Sequence, residues 1–175
     1  MLFKVLTGIT IVIFYSVQIF KVTGTPEQAT FGTILVNMFS VIATIYSTSI
    51  IEKYGRKRLM IVGWALIILS LSAICISLLL NLSIIYVVVS VCLFIVSYGL
   101  AAGPIIYIYL ADTLPDIGIG LIVSIVFLGH AMISFAFPLI KESLGVVNTF
   151  LIFTVASFVA LIFMVKFIKE TKGKS

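Results

Sequence analysis

A charged segment of seven residues decides the fold of this chain: Glu52-Lys53-Tyr54-Gly55-Arg56-Lys57-Arg58. It separates two long apolar stretches, Phe31–Ile51 and Leu59–Leu80. Each stretch has the roughly 20 apolar residues that a helix needs to cross the hydrocarbon core of a bilayer. The segment therefore predicts a connection between two membrane-spanning helices, with its basic residues held at one face of the membrane.

The composition extends this prediction to the whole chain. Of 175 residues, 62% are hydrophobic and 10% are charged, and the mean hydropathy is +1.35. A soluble domain of this size cannot bury that much apolar surface, so lipid must solvate most of it. We predict an all-α membrane protein with six spans: Phe3–Phe20, Phe31–Ile51, Leu59–Leu80, Ile84–Ala111, Ile119–Ile140 and Val147–Ile168.

The distribution of basic residues predicts the orientation of these spans. With six spans and a cytoplasmic amino terminus, one side of the membrane holds nine of the eleven basic residues, and the other holds only Lys21 and Lys141. This asymmetry follows the positive-inside rule and places both termini in the cytoplasm, with Lys4 counted on the cytoplasmic side. The net charge of +5 is thus an orientation signal and not a nucleic-acid surface.

The connections between the spans are short, so residues 1–175 are predicted to form a single transmembrane domain. Asn81-Leu82-Ser83 and Lys141–Gly145 are predicted external turns, and Asp112–Gly120 is predicted to be an irregular cytoplasmic connection. The first stretch is interpreted as a retained span, because no small-x-small cleavage site follows it. Cys75 and Cys92 are predicted to be buried thiols, and no metal-ligand spacing or cofactor motif is present.

Four motifs, in this order, resemble the carboxy-terminal half of a sugar porter in the major facilitator superfamily. They are Leu6-Thr7-Gly8-Ile9 with Phe14-Tyr15-Ser16 and Ile19-Phe20; Val36-Asn37 with Glu52-x-x-Gly55-Arg56-Lys57; Gly103-Pro104-Ile105 with Ala111-Asp112-x-Leu114-Pro115; and Glu170-Thr171-Lys172-Gly173. The resemblance covers essentially the whole chain. It implies that the six spans correspond to helices seven to twelve of a twelve-helix transporter.

The resemblance also implies a function and partners. Such a transporter moves a hexose or related sugar by alternating access, with the substrate bound between two six-helix halves near the bilayer midplane. The expected partners are a small sugar, the lipid bilayer, and either an amino-terminal transporter half or a second copy of the chain. The plasma membrane is the expected location. A truncated gene, a partial gene model and a split transporter would each give such a sequence.

The resemblance assigns a cytoplasmic gate to the charged motifs. Glu52, Gly55, Arg56 and Lys57 form its basic loop, and two acids are expected to pair with that loop: Asp112 and Glu170. Charge-assisted hydrogen bonds at such a rim can form in one conformation and break in the other. The alternative is a basic loop that only sets the topology.

A hinge and a set of substrate-binding residues follow from the same resemblance. Gly103 and Pro104 interrupt an apolar stretch and are expected to form the hinge, or else a passive kink. The polar candidates for sugar binding are Thr10, Tyr15, Asn37, Tyr107 and His130. Lys4 and Val5 stand where the family has two sugar-binding glutamines. His130 is either a binding residue or a neutral imidazole bonded to a neighbouring group.

The sequence bears on two other classes of function. Loss of the two glutamines favours a half-transporter that no longer moves substrate, or a membrane protein that acts by binding a partner. An enzyme is not expected, because the sequence has no nucleophile–base pair, metal cluster or phosphate loop. A channel is not expected either, because no filter-like polar segment is present. The choice between uniport and proton symport stays open.

Overall fold

The computed structural model describes residues 2–54, 56–113 and 115–167, without the side chains of residues 2, 48, 51–54, 56, 101–102, 112–113 and 116. Every regular element in these ranges is helical. In chain order they are α1 (Leu2–Val5), α2 (Ile9–Phe20), α3 (Pro26–Tyr54), α4 (Arg56–Leu79), α5 (Ile84–Ser97), a π-helical turn (Tyr98–Ala102), α6 (Pro104–Thr113) and α7 (Asp116–Phe167). The predicted all-α class is confirmed.

Five stretches of the described residues are long and apolar enough to cross a membrane, and the last of them contains two spans. That stretch lies in α7, whose 52 residues would extend to roughly 80 Å as one helix, far beyond a bilayer core of about 30 Å. Gly145 interrupts α7 with φ 80° and ψ 163°, a conformation that a residue without Cβ can adopt. The described residues therefore supply the six predicted spans.

Two predicted connections are shorter than the sequence suggested. The external turn predicted at Lys141–Gly145 is helical up to its last residue, and Gly145 alone makes the break. The irregular connection predicted at Asp112–Gly120 is also mostly helical, because α6 runs to Thr113 and α7 starts at Asp116. Glycine and proline weaken a helix locally, but a backbone that enters a bilayer must satisfy its hydrogen bonds within the helix, so the helix continues to the edge of the turn.

The first predicted span is broken near its start. Gly8 has φ 77° and ψ 14°, which ends α1 and begins α2. The Thr7 hydroxyl donates to the Lys4 carbonyl at 2.7 Å, and the Ile11 amide donates to the Gly8 carbonyl at 3.0 Å. A Cβ at Gly8 would also lie 3.0 Å from the ring of Phe153. The backbone therefore turns here under two constraints, a left-handed conformation and a close aromatic neighbour.

The start of α3 carries a capping box. The Gln28 side chain accepts from the Thr25 amide at 3.1 Å, and the Thr25 hydroxyl accepts from the Gln28 amide at 3.4 Å. Pro26 takes the first helical position, where its missing amide leaves no bond unmade. This helix begins five residues before the predicted span at Phe31 and continues to Tyr54.

The core lies around α4, which packs against α5 and α7. Trp64, Ile67, Leu71 and Ile74 form a fully buried face of α4, while its opposite face carries exposed apolar side chains such as Leu69. By contrast, α3 lies at the periphery, and only 22% of its spanning window is buried. Its outer face carries exposed large apolar side chains, as expected where lipid replaces protein as the neighbour: Phe31, Ile34, Met38, Val41 and Ile45.

Candidate substrate-binding cavity

Five helical elements line a cavity of about 460 Å³, and α1 contributes Lys4 to it. Thr10 comes from α2, Tyr98 from the π-helical turn, Tyr107 from α6 and His130 from α7. A second cavity, of about 270 Å³, shares several wall residues with the first: Lys4, Ile9, Ile13, Tyr98 and Tyr107. These dimensions suit a small polar molecule, since ligand pockets commonly hold about 300–1,000 Å³.

Lys4 is a buried cation in the wall of both cavities. It is 5% exposed, and its Nζ lies 4.0 Å from the centre of the Tyr107 ring and 5.7 Å from that of Tyr98. Ring faces attract an ammonium group through their quadrupole. The turn at Gly8 directs α1 toward these rings. Lys4 therefore lines both cavities from α1, while its assignment to the cytoplasmic side of the membrane stays a prediction.

Thr10 and His130 form a direct contact between α2 and α7. The Thr10 hydroxyl and Nδ1 of His130 share a hydrogen bond of 2.5 Å, and both residues line the larger cavity. The Phe127 ring lies edge-on to the imidazole, with 6.5 Å between centres. Two predicted binding residues are thus neighbours, and His130 has the hydroxyl partner that its alternative interpretation required.

Tyr15 lies outside the walls of both cavities. Its hydroxyl donates to the Ser134 carbonyl at 3.1 Å, and its ring packs on Phe137 with 4.7 Å between centres. The hydroxyl thus joins α2 to α7, and it is Ser134 that lines the larger cavity. The structure therefore gives Tyr15 a packing contact beside the cavity.

Asn37 is exposed on α3 and lines neither cavity. Its amide nitrogen donates to the Thr33 carbonyl one turn earlier, at 3.0 Å. It belongs to a polar stripe along one face of α3, formed by Thr33, Asn37, Ser40 and Thr44. Ser40 and Thr44 do line the smaller cavity. Sequence reasoning missed both, although their spacing of seven and eleven residues from Thr33 is the signal of a shared helical face.

Gly103 and Pro104 lie where the fourth apolar stretch is broken. The Gly103 amide donates to the Tyr98 carbonyl at 2.8 Å, which closes a π-type turn, and Pro104 starts α6. Proline at the first helical position removes no intrahelical hydrogen bond. Both residues line the smaller cavity. The break is therefore next to the candidate site, while its motion as a hinge stays a prediction.

The predicted gate falls largely outside the described residues. Gly55 and Glu170 lie outside the described ranges, and so do the side chains of Glu52, Arg56 and Asp112. Lys57 is described and lies half-buried in the first turn of α4. The pairing of these charges stays a prediction.

The thiols and the metal-ligating residues point to no second site. Cys75 is buried, Cys92 is partly buried, and both are free thiols. Among the residues that the structure describes, no three His, Cys, Asp or Glu side chains cluster closely enough to hold a metal ion.

Comparison with known families identifies the kind of protein that has this architecture. The sequence model of the family described as "Sugar (and other) transporter" matches residues 1–175. The chain belongs to this family. It is therefore an integral membrane protein of the sugar porters within the major facilitator superfamily, and this family consists of transporters and not of enzymes.

Individual relatives agree with the family assignment. The glucose transporter GlcP of Staphylococcus epidermidis is 31% identical over 99% of this chain and 41% of its own length. The arabinose-proton symporter of Bacillus subtilis is 29% identical over 99% of this chain and 39% of its own length. This chain thus spans about two fifths of the length of the relatives it matches.

A solved transporter has the same fold. The partially occluded inward-open structure of the xylose transporter XylE from Escherichia coli superposes with a TM-score of 0.87 at 22% identity. The match covers 99% of this chain and 39% of that one. The six-helix arrangement is therefore that of a major facilitator superfamily transporter over the matched part.

Proposed function

We propose that residues 1–175 form a single six-helix transmembrane domain, the carboxy-terminal half of a carrier for a hexose or related sugar. The carrier works by alternating access, and this half supplies one wall of the substrate site. The observation that carries the proposal is the cavity where Thr10, Tyr107 and His130 meet from three separate helices. Hydroxyl, phenol and imidazole groups around aromatic rings are the chemistry that binds a sugar with hydroxylated edges and apolar faces.

The polar stripe of α3 is proposed to face the other half of the carrier. Asn37 and Thr44 are exposed there, beside the apolar face of the same helix that suits lipid. A helix that borders both lipid and a water-filled pathway needs two such faces. The partner that covers the stripe is an amino-terminal transporter half, or a second copy of this chain.

The orientation and the gate complete the proposal. Both termini lie in the cytoplasm and the carrier resides in the plasma membrane. With Lys4 in the cavity, eight of the eleven basic residues remain on the cytoplasmic side, so the asymmetry persists. Arg56 and Lys57 pair with Asp112 and Glu170 when the cytoplasmic side is closed.

A chimera tests the proposal. In the Staphylococcus epidermidis glucose transporter GlcP, this chain replaces the segment that it matches, and the protein is reconstituted in liposomes. We expect saturable uptake of a sugar from a panel of glucose, xylose, arabinose and glucuronate. Intact GlcP is the positive control, and the chimera with Tyr107→Ala is the site control. A chimera that is folded by thermal melting yet moves none of these sugars overturns the proposal.

A half-transporter that binds partners without moving substrate is the second candidate. The observation that favours it is the buried Lys4, which projects an ammonium group into a cavity otherwise suited to neutral sugars. This candidate predicts that the chimera moves no sugar, while the chain itself co-purifies stably with another membrane protein from its own cell.

A further inference from the structure

Lys4 gives the cavity a charge that its other wall residues do not balance. Among the residues whose side chains the structure describes, the rest of the larger cavity wall is apolar, aromatic, hydroxyl-bearing or imidazole, and none is a carboxylate. The carboxylates whose side chains are described, Glu27 and Glu142, lie elsewhere: one begins α3 and the other precedes the break in α7.

Lys4 is bordered by two aromatic rings and by the cavities. Tyr107 and Tyr98 present their ring faces to the ammonium group at 4.0 and 5.7 Å, and Lys4 lines the larger cavity. Ring faces compensate a buried ammonium only in part, since an intramembrane cation is normally paired with an anion or with carbonyl groups. An anion that enters the cavity would complete the coordination of Nζ with a charge-assisted hydrogen bond.

We propose that the substrate of this site is a sugar acid, whose carboxylate binds Lys4 while its hydroxyls bind Thr10 and His130. This inference rests on the proposed function and names the substrate class of the same cavity. The positions of the three side chains support it, because Lys4 is carried by α1, Thr10 by α2 and His130 by α7, and all of them line one space of about 460 Å³. A hexuronate has its carboxylate at one end of the ring and hydroxyls along the rest.

A carboxylate fits this wall better than a phosphate does. A phosphate monoester carries up to two charges and three acceptor oxygens, and proteins usually meet it with several donors. In the larger cavity the wall provides one ammonium group and no arginine. A single ammonium group is matched by a single carboxylate. D-Glucuronate and D-glucose are therefore the probes that isolate this group, since they differ only at the sixth carbon.

The test measures binding to the full chain in lipid nanodiscs. We expect D-glucuronate to bind about ten-fold more tightly than D-glucose, the gain that one charge-assisted contact commonly gives. Lys4→Gln should remove this preference, and Lys4→Arg should retain most of it. Lys21→Gln, which removes the same charge from an exposed position, is the matched control and should leave the preference unchanged. Thermal melting reports whether each variant is folded.

Each outcome decides between the alternatives. Glucose binding as tight as glucuronate binding overturns the inference and leaves the proposed function standing. Tighter binding of glucose 6-phosphate than of glucuronate overturns the assignment of a carboxylate as the substrate group that binds Lys4. If neither sugar binds, the inference fails, because its three contacts, Lys4, Thr10 and His130, all come from this chain. Uptake by the chimera still tests the proposed carrier function. If Lys4→Gln does not fold, the ratio of the affinities of the unaltered chain for D-glucuronate and D-glucose still decides whether the inference holds.

Discussion

Two polar regions of this protein are built in opposite ways. In the cavity, Lys4, Thr10, Tyr107 and His130 come from four helices, and their side chains contact one another. In the polar stripe of α3, by contrast, side chains of one helix bond back to its own carbonyls: Thr33 to Ala29, Asn37 to Thr33, and Thr44 to Ser40.

The contrast shows that the cavity depends on the tertiary fold of this chain, whereas the polar stripe of α3 is available to a partner. Cavity groups are polar atoms satisfied by tertiary contacts, so a change to one alters its neighbours. The hydroxyls and amide of the stripe are satisfied locally, so the helix stays intact while their remaining bonding capacity faces outward. We expect substitutions in the cavity to change the stability or the sugar binding of the isolated chain. We expect substitutions in the stripe to change uptake only in a complete carrier.

The largest expected effect comes from removing the turn that brings Lys4 into the cavity. Gly8→Ala should cost about 2–4 kcal/mol, because it adds left-handed backbone strain to a clash with Phe153. Thermal melting in detergent measures the loss. Gly145→Ala, which has the strain but no near neighbour, should cost about half as much, and Gly120→Ala, which has neither, should cost nothing. Equal melting temperatures for all three variants would contradict the described turn.

The next effect concerns the bond between Thr10 and His130. Thr10→Val and His130→Phe should each weaken binding of the preferred sugar about ten-fold, since each leaves a buried polar partner without its bond. The double variant should lose less than the product of the single losses, because the two groups act as a pair. Isothermal titration of all four proteins gives the coupling. Strictly multiplicative losses would show that the two residues act independently.

A smaller effect distinguishes Tyr107, which lines the cavity, from Tyr15, which lies outside its walls. Tyr107→Leu removes a ring that faces both the cavity and Lys4, so sugar affinity should fall about three- to ten-fold. Tyr15→Phe removes only the hydroxyl bonded to the Ser134 carbonyl, so stability should fall by about 1 kcal/mol with affinity unchanged. A fall in affinity for Tyr15→Phe would place this residue in the site after all.

The smallest effect on the chain alone is expected in the stripe. Asn37→Leu should leave both stability and sugar binding of the isolated chain within about 0.5 kcal/mol, because the residue is exposed and bonded only to its own helix. In the GlcP chimera the same change should reduce uptake. Met38→Leu, on the adjacent apolar face, is the control for both measurements. Loss of binding in the isolated chain would place Asn37 in the binding site, beside Ser40 and Thr44 of the smaller cavity wall.

The sequence predicted the spans well because lipid imposes a strong and simple rule. Length, apolarity and the charged segment around Gly55 were sufficient to place six helices. The ends of the helices were less predictable: Lys141–Leu144 reads as a polar turn, yet it stays helical, because a backbone at the bilayer satisfies its hydrogen bonds within the helix. The family resemblance, carried by motif order, led to the correct transporter superfamily.

The site was less predictable because it depends on tertiary folding. Thr10, Tyr107 and His130 were found through the resemblance and do line the cavity, while Asn37 and Tyr15 lie outside its walls. Lys4 and Tyr98 were missed as wall residues. No periodicity reveals them, because one depends on the left-handed turn at Gly8 and the other on a π-helical turn. The gate motifs remain predictions.

The π-helical turn at Tyr98–Ala102 has a consequence for how the cavity changes shape. It inserts one residue more than an α-helix would use, so α6 is rotated about its axis by roughly 100° relative to a continuous α5. Rewinding this turn into an α-helix would swing Tyr107 around that axis and away from Nζ of Lys4. The contact between Lys4 and Tyr107 therefore depends on this turn staying π-helical. The shape of the cavity thus depends on the winding of a single helix.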